Sequence, residues 1–229
     1  VTVGVTKSSA SVVIDDDIDY ASANTLTILT AGNLTVSGNI QNSGTGNITL
    51  LAGWNPSVAP SSALTASGAY GNNNATITIG GSSAGGNSAV GSARGVTTIL
   101  TKNLNVSAVK GTAELGYSGP SSGNIIVNAT GNIAVAGKSS SVFAEIGNLG
   151  ISNQAVSGNI TIADAGSFTL TNGILGNIVL GNTVATGKVG LTAASLTASG
   201  ASLLSGNSAD ITLTGAGAGV GSSGNALNT

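Results

Sequence analysis

Three series of apolar residues advance through the middle of this chain in step. Sorting the β-like runs by threes and taking the first apolar residue of each gives Val96, Ile125, Ile160 and Val189, at steps of 29, 35 and 29. A second series, Leu104, Ile133, Phe168 and Leu196, steps by 29, 35 and 28. A third, Leu115, Ile146, Ile178 and Ile211, steps by 31, 32 and 33. Three series moving together by about one interval are what a repeated coil with three strands produces. A sandwich would instead place hairpin turns every ~8–12 residues. Going backwards, Leu34, Ile40 and Ile48 precede Val96, Leu104 and Leu115 by about two intervals each, which leaves room for one intermediate coil marked by Ile77. One more coil fits from Val3 through Val13 to Leu26. The expectation is an all-β parallel solenoid of about seven coils with three short strands each. It forms one domain over 1–229, with a first coil over 1–31 and a small-residue tail over 214–229. At ~4.8 Å per coil it would stand on the order of 34 Å tall.

Local signals agree. Leu34-Thr35-Val36, Ile77-Thr78-Ile79, Ile125-Ile126-Val127, Ile160-Thr161-Ile162, Phe168-Thr169-Leu170 and Ile211-Thr212-Leu213 alternate or are β-branched. Most follow Gly-Asn, Gly-Ser or a similar small pair, which turns a corner at little steric cost. Only 6% of residues are charged. Yet Gly, Asn, Ser or Thr breaks every apolar run short of the ~18 residues that mark a membrane-spanning helix, so none is expected. With 41% hydrophobic residues and a net charge of −2, disorder is not expected either. Lys7, Arg94, Lys102, Lys110, Lys138 and Lys188 are scattered, which argues against nucleic acid. The absence of cysteine is compatible with secretion. A first residue of Val without a signal peptide reads as a processed chain or an excised piece.

In a solenoid each coil pairs with those above and below, so outward positions are free to be Thr, Ser or Asn. The residue before each inward position falls in a column of its own. Asn33, Asn39, Asn103, Asn124, Asn132, Asn159 and Asn177 are expected to form amide ladders along the axis. Glu114 and Glu145 occupy the same kind of position in Ala-Glu-(Leu or Ile)-Gly segments, in a column read as Asn47, Thr76, Glu114, Glu145, Asn177 and Asp210. Alternation points them outward, on adjacent coils. Two carboxylates so placed repel by a few tenths to ~1 kcal/mol. Solvating water, lysines such as Lys110 and Lys138, or a bound cation would each relieve them.

Chemistry is sparse. Asp15-Asp16-Asp17-Ile18-Asp19 is the single charge cluster, and Asp15, Asp17 and Asp19 are weak calcium candidates that lack EF-hand or β-roll spacing. Without His or Cys there is no nucleophilic triad and no His- or Cys-ligated catalytic metal. A carboxylate-pair hydrolase would have to use Glu114 and Glu145 or the Asp cluster, with no aromatic platform in view for a sugar. Gly80 to Gly86 is glycine-rich but lacks the following Lys-Ser/Thr of a phosphate loop. Trp54, Tyr70 and Tyr117 read as exposed or edge-packed rather than as a binding stack. No enzymatic function and no cofactor are expected.

The runs "GNITLLAGWN", "GTAELGYSG", "SVFAEIGNLG" and "GNIAVAG" resemble the repeat region of filamentous-haemagglutinin-like bacterial exoproteins, from about Asp15 to Leu213. The family has Gln where Glu114 and Glu145 stand, and the Asn-Pro-Asn motifs of its secretion domain are missing here. The resemblance implies a right-handed parallel β-helix, secretion through an outer-membrane partner, and an adhesive role at the bacterial cell surface. The expected function is an extracellular structural or adhesive solenoid, part of a large adhesin or of a self-assembling filament. Its partners would be further coils, copies of itself, or cell-surface glycans. Two alternatives stand beside it. Thr25-x-Thr27, Thr76-x-Thr78, Thr169-x-Thr171 and Thr212-x-Thr214 suggest an ice-binding face, and the architecture also suits a polysaccharide lyase. The end strands are expected to be open edges, templates for pairing.

Overall fold

The computed structural model of the chain describes residues 1–6, 11–63, 74–80, 86–139, 142–180, 185–204, 208–215 and 220–223. Strand pairs with strand in parallel, one coil to the next, and the chain climbs along three sides. The first side carries Thr2–Val5, Leu26–Thr30, Ile48–Ala52, Val96–Thr101 and Asn124–Ala129, then the first halves of Ile160–Thr171 and Lys188–Ser199, then Ser208–Leu213. The second carries Val12–Ile14, Leu34–Val36, Thr76–Gly80, Asn103–Ala108 and Ile133–Gly137, the second halves of the two long strands, and Val220–Ser223. The third carries Ile18–Tyr20, Ile40–Asn42, Ser88–Ser92, Ala113–Leu115, Ala144–Ile146, Gly173–Leu175 and Leu203–Leu204. These make seven full coils and the start of an eighth: a parallel β-helix. Among the described residues no helix is long and apolar enough to cross a membrane.

The core follows from alternation. Leu34, Ile77, Leu104, Ile133, Phe168 and Leu196 stack in one inward column of the second side, as the second apolar series requires. Phe168 is fully buried there, so the coil does accommodate one large ring.

Several registers differ from expectation. On the first side Ile125 is paired with Thr97, not Val96, so the buried Thr97 takes the inward place. Leu34, Ile40 and Ile48 belong to the second, third and first sides, one strand away from the sides assigned to them. In the third series Ile146 is followed by Leu175 and Leu204. Ile178 instead pairs Leu149 in a separate two-stranded sheet, and Ile211 pairs Leu191 on the first side. The cause is uneven coil length. Leu26 pairs Ile48, Ile48 pairs Thr97, and Val189 pairs Ala209, so the length of a coil more than doubles and later falls back by more than half. A loop raises the count without changing the local signal for a strand.

The asparagines stitch coil to coil in a different way from an amide ladder. Asn33, Asn39, Asn103, Asn124, Asn132 and Asn159 each accept, through Oδ1, a backbone N–H of the next coil. The donors are Thr76, Ala89, Asn132, Asn159, Ser167 and Lys188, at 2.8–3.3 Å. The side-chain oxygen replaces the carbonyl that the corner turns away, so the next strand's first donor is satisfied. Asn47, Asn87 and Asp17 do the same for Val96, Thr112 and Asn39. Asn177 differs. It is buried, accepts the N–H of Asn148 one coil below at 2.9 Å, and donates to the Gly158 and Thr186 carbonyls.

In the longest coil the residues that follow Ile48–Ala52 cover part of the outside of the first side. Leu29, Leu51 and Leu100 point away from the core, one residue after Ile28, Leu50 and Ile99, yet they are buried. The chain leaving Ile48–Ala52 lays Trp54 over them, its Nε1 donating to the Val58 carbonyl at 3.0 Å. Covering each such side chain contributes roughly 1.5–3 kcal/mol.

Candidate functional site

The third side carries the unusual chemistry. Glu114 and Glu145, the only two glutamates in the chain, are direct partners on adjacent coils, as expected. Each alternates with inward neighbours, Ala113 and Leu115 or Ala144 and Ile146, so each points away from the core. Neither is solvated, contrary to expectation: Glu114 is 1% exposed and Glu145 0%. Their column also differs from the expected one. Ala89 lies below Glu114 and Ile174 above Glu145, while Asn177 lies beyond the strand and Asp210 sits on the first side opposite Gly190.

A side layer covers the pair. After Ala113–Leu115, Ala144–Ile146 and Gly173–Leu175 the chain leaves the coil and builds a second small ladder. Ser118 bridges Leu149, Ser121 bridges Val156, and Leu149–Gly150 pairs Ile178–Val179. Two groups of this layer hold Glu114. The Ser118 hydroxyl donates to Oε2, and the Leu149 N–H donates to Oε1 at 3.2 Å. Among the described residues neither oxygen of Glu145 has a hydrogen-bond partner. Burial pushes the Glu114 carboxyl up to about 8, partly offset by those two donors. Burial, then the charge of Glu114, hold Glu145 well above the ordinary carboxylate range.

The exit from the third side needs glycine. Gly91, Gly116, Gly147 and Gly176 follow the inward residues Val90, Leu115, Ile146 and Leu175. A Cβ on Gly116 would lie 1.7 Å from the Gly147 carbonyl oxygen, and one on Gly147 2.0 Å from that of Gly176. Buried Asn148 and Asn177 come next and tie this exit to the following turn. Asn148 donates to the Gly123 and Ser157 carbonyls at 3.0 and 2.9 Å. The repeated (Ile or Leu)-Gly-Asn at 146–148 and 175–177 is the signal that could have found this inner pair.

Beside the side layer, over the first coils of the third side, lies an open cleft of about 770 Å³. Tyr20, Tyr117 and Phe143 line it with Asn39, Gln41, Asn87 and Asp19, and Ser118 and Leu149 form its rim on the side layer. Gln41 fastens that rim across an intervening coil, donating to the Gly116 carbonyl at 3.0 Å and accepting from the Ser118 N–H at 3.1 Å. Among the described residues the buried Tyr20 hydroxyl has no partner. Partial burial, then Asp17, raise the Asp19 carboxyl above its usual range. The aromatic grouping was not visible in the sequence, because its members lie on different coils.

Other expected features fall as follows. Asp17 is a corner acceptor, Asp19 lines the cleft, and among the described residues no three acidic, His or Cys groups converge to hold a metal. Thr27 and Thr212 lie in first-side strands, Thr78 and Thr169 in second-side strands, so the four Thr pairs do not share one column. Tyr70 and 81–85 of the glycine-rich run lie outside the described residues. No protein-family model, curated protein or solved structure compared with this chain matches it.

Proposed function

We propose that this chain is an extracellular structural and adhesive solenoid, a segment of a large surface adhesin or a subunit of a self-assembling filament. The observation that carries the reading is the open N-terminal edge. Val3 and Ile18 occupy inward columns with Ile28 and Ile40, yet they are 49% and 37% exposed where those are 5% and 0%. Among the described residues the strand Thr2–Val5 pairs on one side only, with Leu26–Thr30. An apolar parallel edge of this kind accepts another strand, and a head-to-tail contact that does not close gives an open fibre. Further coils of a longer chain would satisfy it equally. The adhesive part is supported by the cleft. It gathers three of the chain's six aromatic residues beside amide side chains, a lining that suits the faces and hydroxyls of a glycan.

Sedimentation velocity and electron microscopy of the 229-residue chain test the assembly reading. Concentration-dependent end-to-end association that Val3→Lys abolishes is the expected result. A monomer at high concentration, with the Thr2–Val5 amides protected from exchange, overturns it. Binding to a glycan array that Tyr117→Ala removes is expected for the cleft, and no such binding refutes that part.

A further inference from the structure

A buried ionised carboxylate without a counter-charge is too costly to persist, so it takes a proton, a cation or a water channel. For Glu114 and Glu145 the surroundings narrow the choice. Within the column they face each other, Ala89 and Ile174. From the side layer Glu114 meets Ser118 and Leu149. Among the described residues no lysine or arginine acts on either glutamate. The titratable groups next outward, Tyr20, Tyr117 and Asp19, line the cleft and bring no positive charge. The two carboxyls are also unequal. Glu114 receives two donors and is arranged as an acceptor, whereas among the described residues Glu145 receives none. Protonation of both carboxyls leaves no buried charge, and Glu114, with its two donors, is the one better able to carry a charge once a proton leaves.

We propose that Glu114 and Glu145 form a proton-holding latch. The protons they hold keep the side layer closed on the third side, and their loss loosens the layer at Ser118 and Leu149 and widens the cleft those residues border. Geometry couples the two events, since the residues that hold Glu114 are also the rim of the cleft. Opening returns the carboxyls to water, where they ionise freely. Because burial raises the folded values, the latch costs nothing below the unfolded value of 4.5. Closure then weakens as the pH climbs from there toward about 8. The effect on binding rests on the adhesive reading above, but the latch itself does not.

The chain's two glutamates make the test direct. In protein labelled with ¹³C only at glutamate carboxyls, both signals are expected to titrate far above the ordinary range. Ordinary carboxylate titration of both overturns the latch. Hydrogen exchange, corrected for intrinsic rate, is then compared between the native chain and Glu114→Gln/Glu145→Gln. Protection at about pH 5 is the baseline for each chain, because an amide at 114 presents its NH₂ to Ser118 or Leu149; between there and about pH 9 the native chain should lose tenfold or more protection in 116–121 and 147–156 beyond any loss in the variant. The paired strands of the first and second sides should remain equal in both. An equal loss in both chains, or a loss spread evenly over all coils, refutes a local latch. Restoration of protection by millimolar Ca²⁺ at the higher pH assigns the pair to a cation and overturns the proton. Should the variant fail to fold, the carboxyl titration of the native chain decides alone.

Discussion

On the outside of the first side, Leu29, Leu51 and Leu100 face away from the core and are buried beneath Trp54. On the outside of the third side, Glu114 and Glu145 face away from the core and are buried, Glu114 beneath Ser118 and Leu149. The chain performs one operation twice, folding an excursion back over an outward column. The energetic sign differs. The leucines gain from leaving water, while the carboxylates lose hydration and recover, among the described residues, two donors between them. Strand alternation therefore sets the direction of a side chain, and the excursion sets its burial. One cover anchors its excursion whatever the pH; the other holds most firmly when its cargo is neutral.

The sharpest break of this comparison lies one residue from Glu145. Ile146→Asp puts a carboxylate into the core instead of its outer side, where no donor or layer can shift to meet it. It should cost ~4 kcal/mol or more and leave little folded protein by circular dichroism, against ~1 kcal/mol for Ile146→Val. Next come the exits to the side layer. Gly116→Ala and Gly147→Ala drive a Cβ into a neighbouring carbonyl and should cost ~3 kcal/mol by denaturant titration. Gly86→Ala, with nothing within 4 Å, should change little.

Trp54→Ala uncovers the leucines and should cost ~3 kcal/mol. Hydrogen exchange should confine the loss to the first side; loss at 147–156 as well would mean that the two covers are coupled. Asn148→Ala takes the amide donor from the buried Gly123 and half-buried Ser157 carbonyls and should cost ~2 kcal/mol, whereas exposed Asn124→Ala should cost ~0.5–1 kcal/mol. A similar cost for both would show that burial does not separate inner from outer asparagines. The smallest effect belongs to Glu145→Gln at about pH 5, within ~0.5 kcal/mol in thermal unfolding, because the native carboxyl is already neutral there. Near pH 8 the same change should stabilise, and more than Glu114→Gln. An amide at 114 would present its NH₂ to one of the donors, Ser118 or Leu149.

Much of this was legible in the sequence. Leu104, Ile133, Phe168 and Leu196 announced their column because each inward position must be apolar on every coil, and the partnership of Glu114 with Glu145 followed from the repeat of their segments. The corner asparagines were recognisable as a periodic set, since the turn into each strand makes the same demand for an acceptor. Tertiary structure alone decided the rest. Ile178 carries the same Gly-Asn-apolar signature as Ile125 or Ile160, but it pairs Leu149 outside the coil, and a local signal cannot report which strand it will meet. Nor could it report that the residues after Glu145 turn back over Glu114, or that Tyr20, Tyr117 and Phe143 converge on one cleft. A coil's pattern is written in neighbours along the chain, whereas burial and convergence depend on segments far apart in the chain that meet only when coils of unequal length stack.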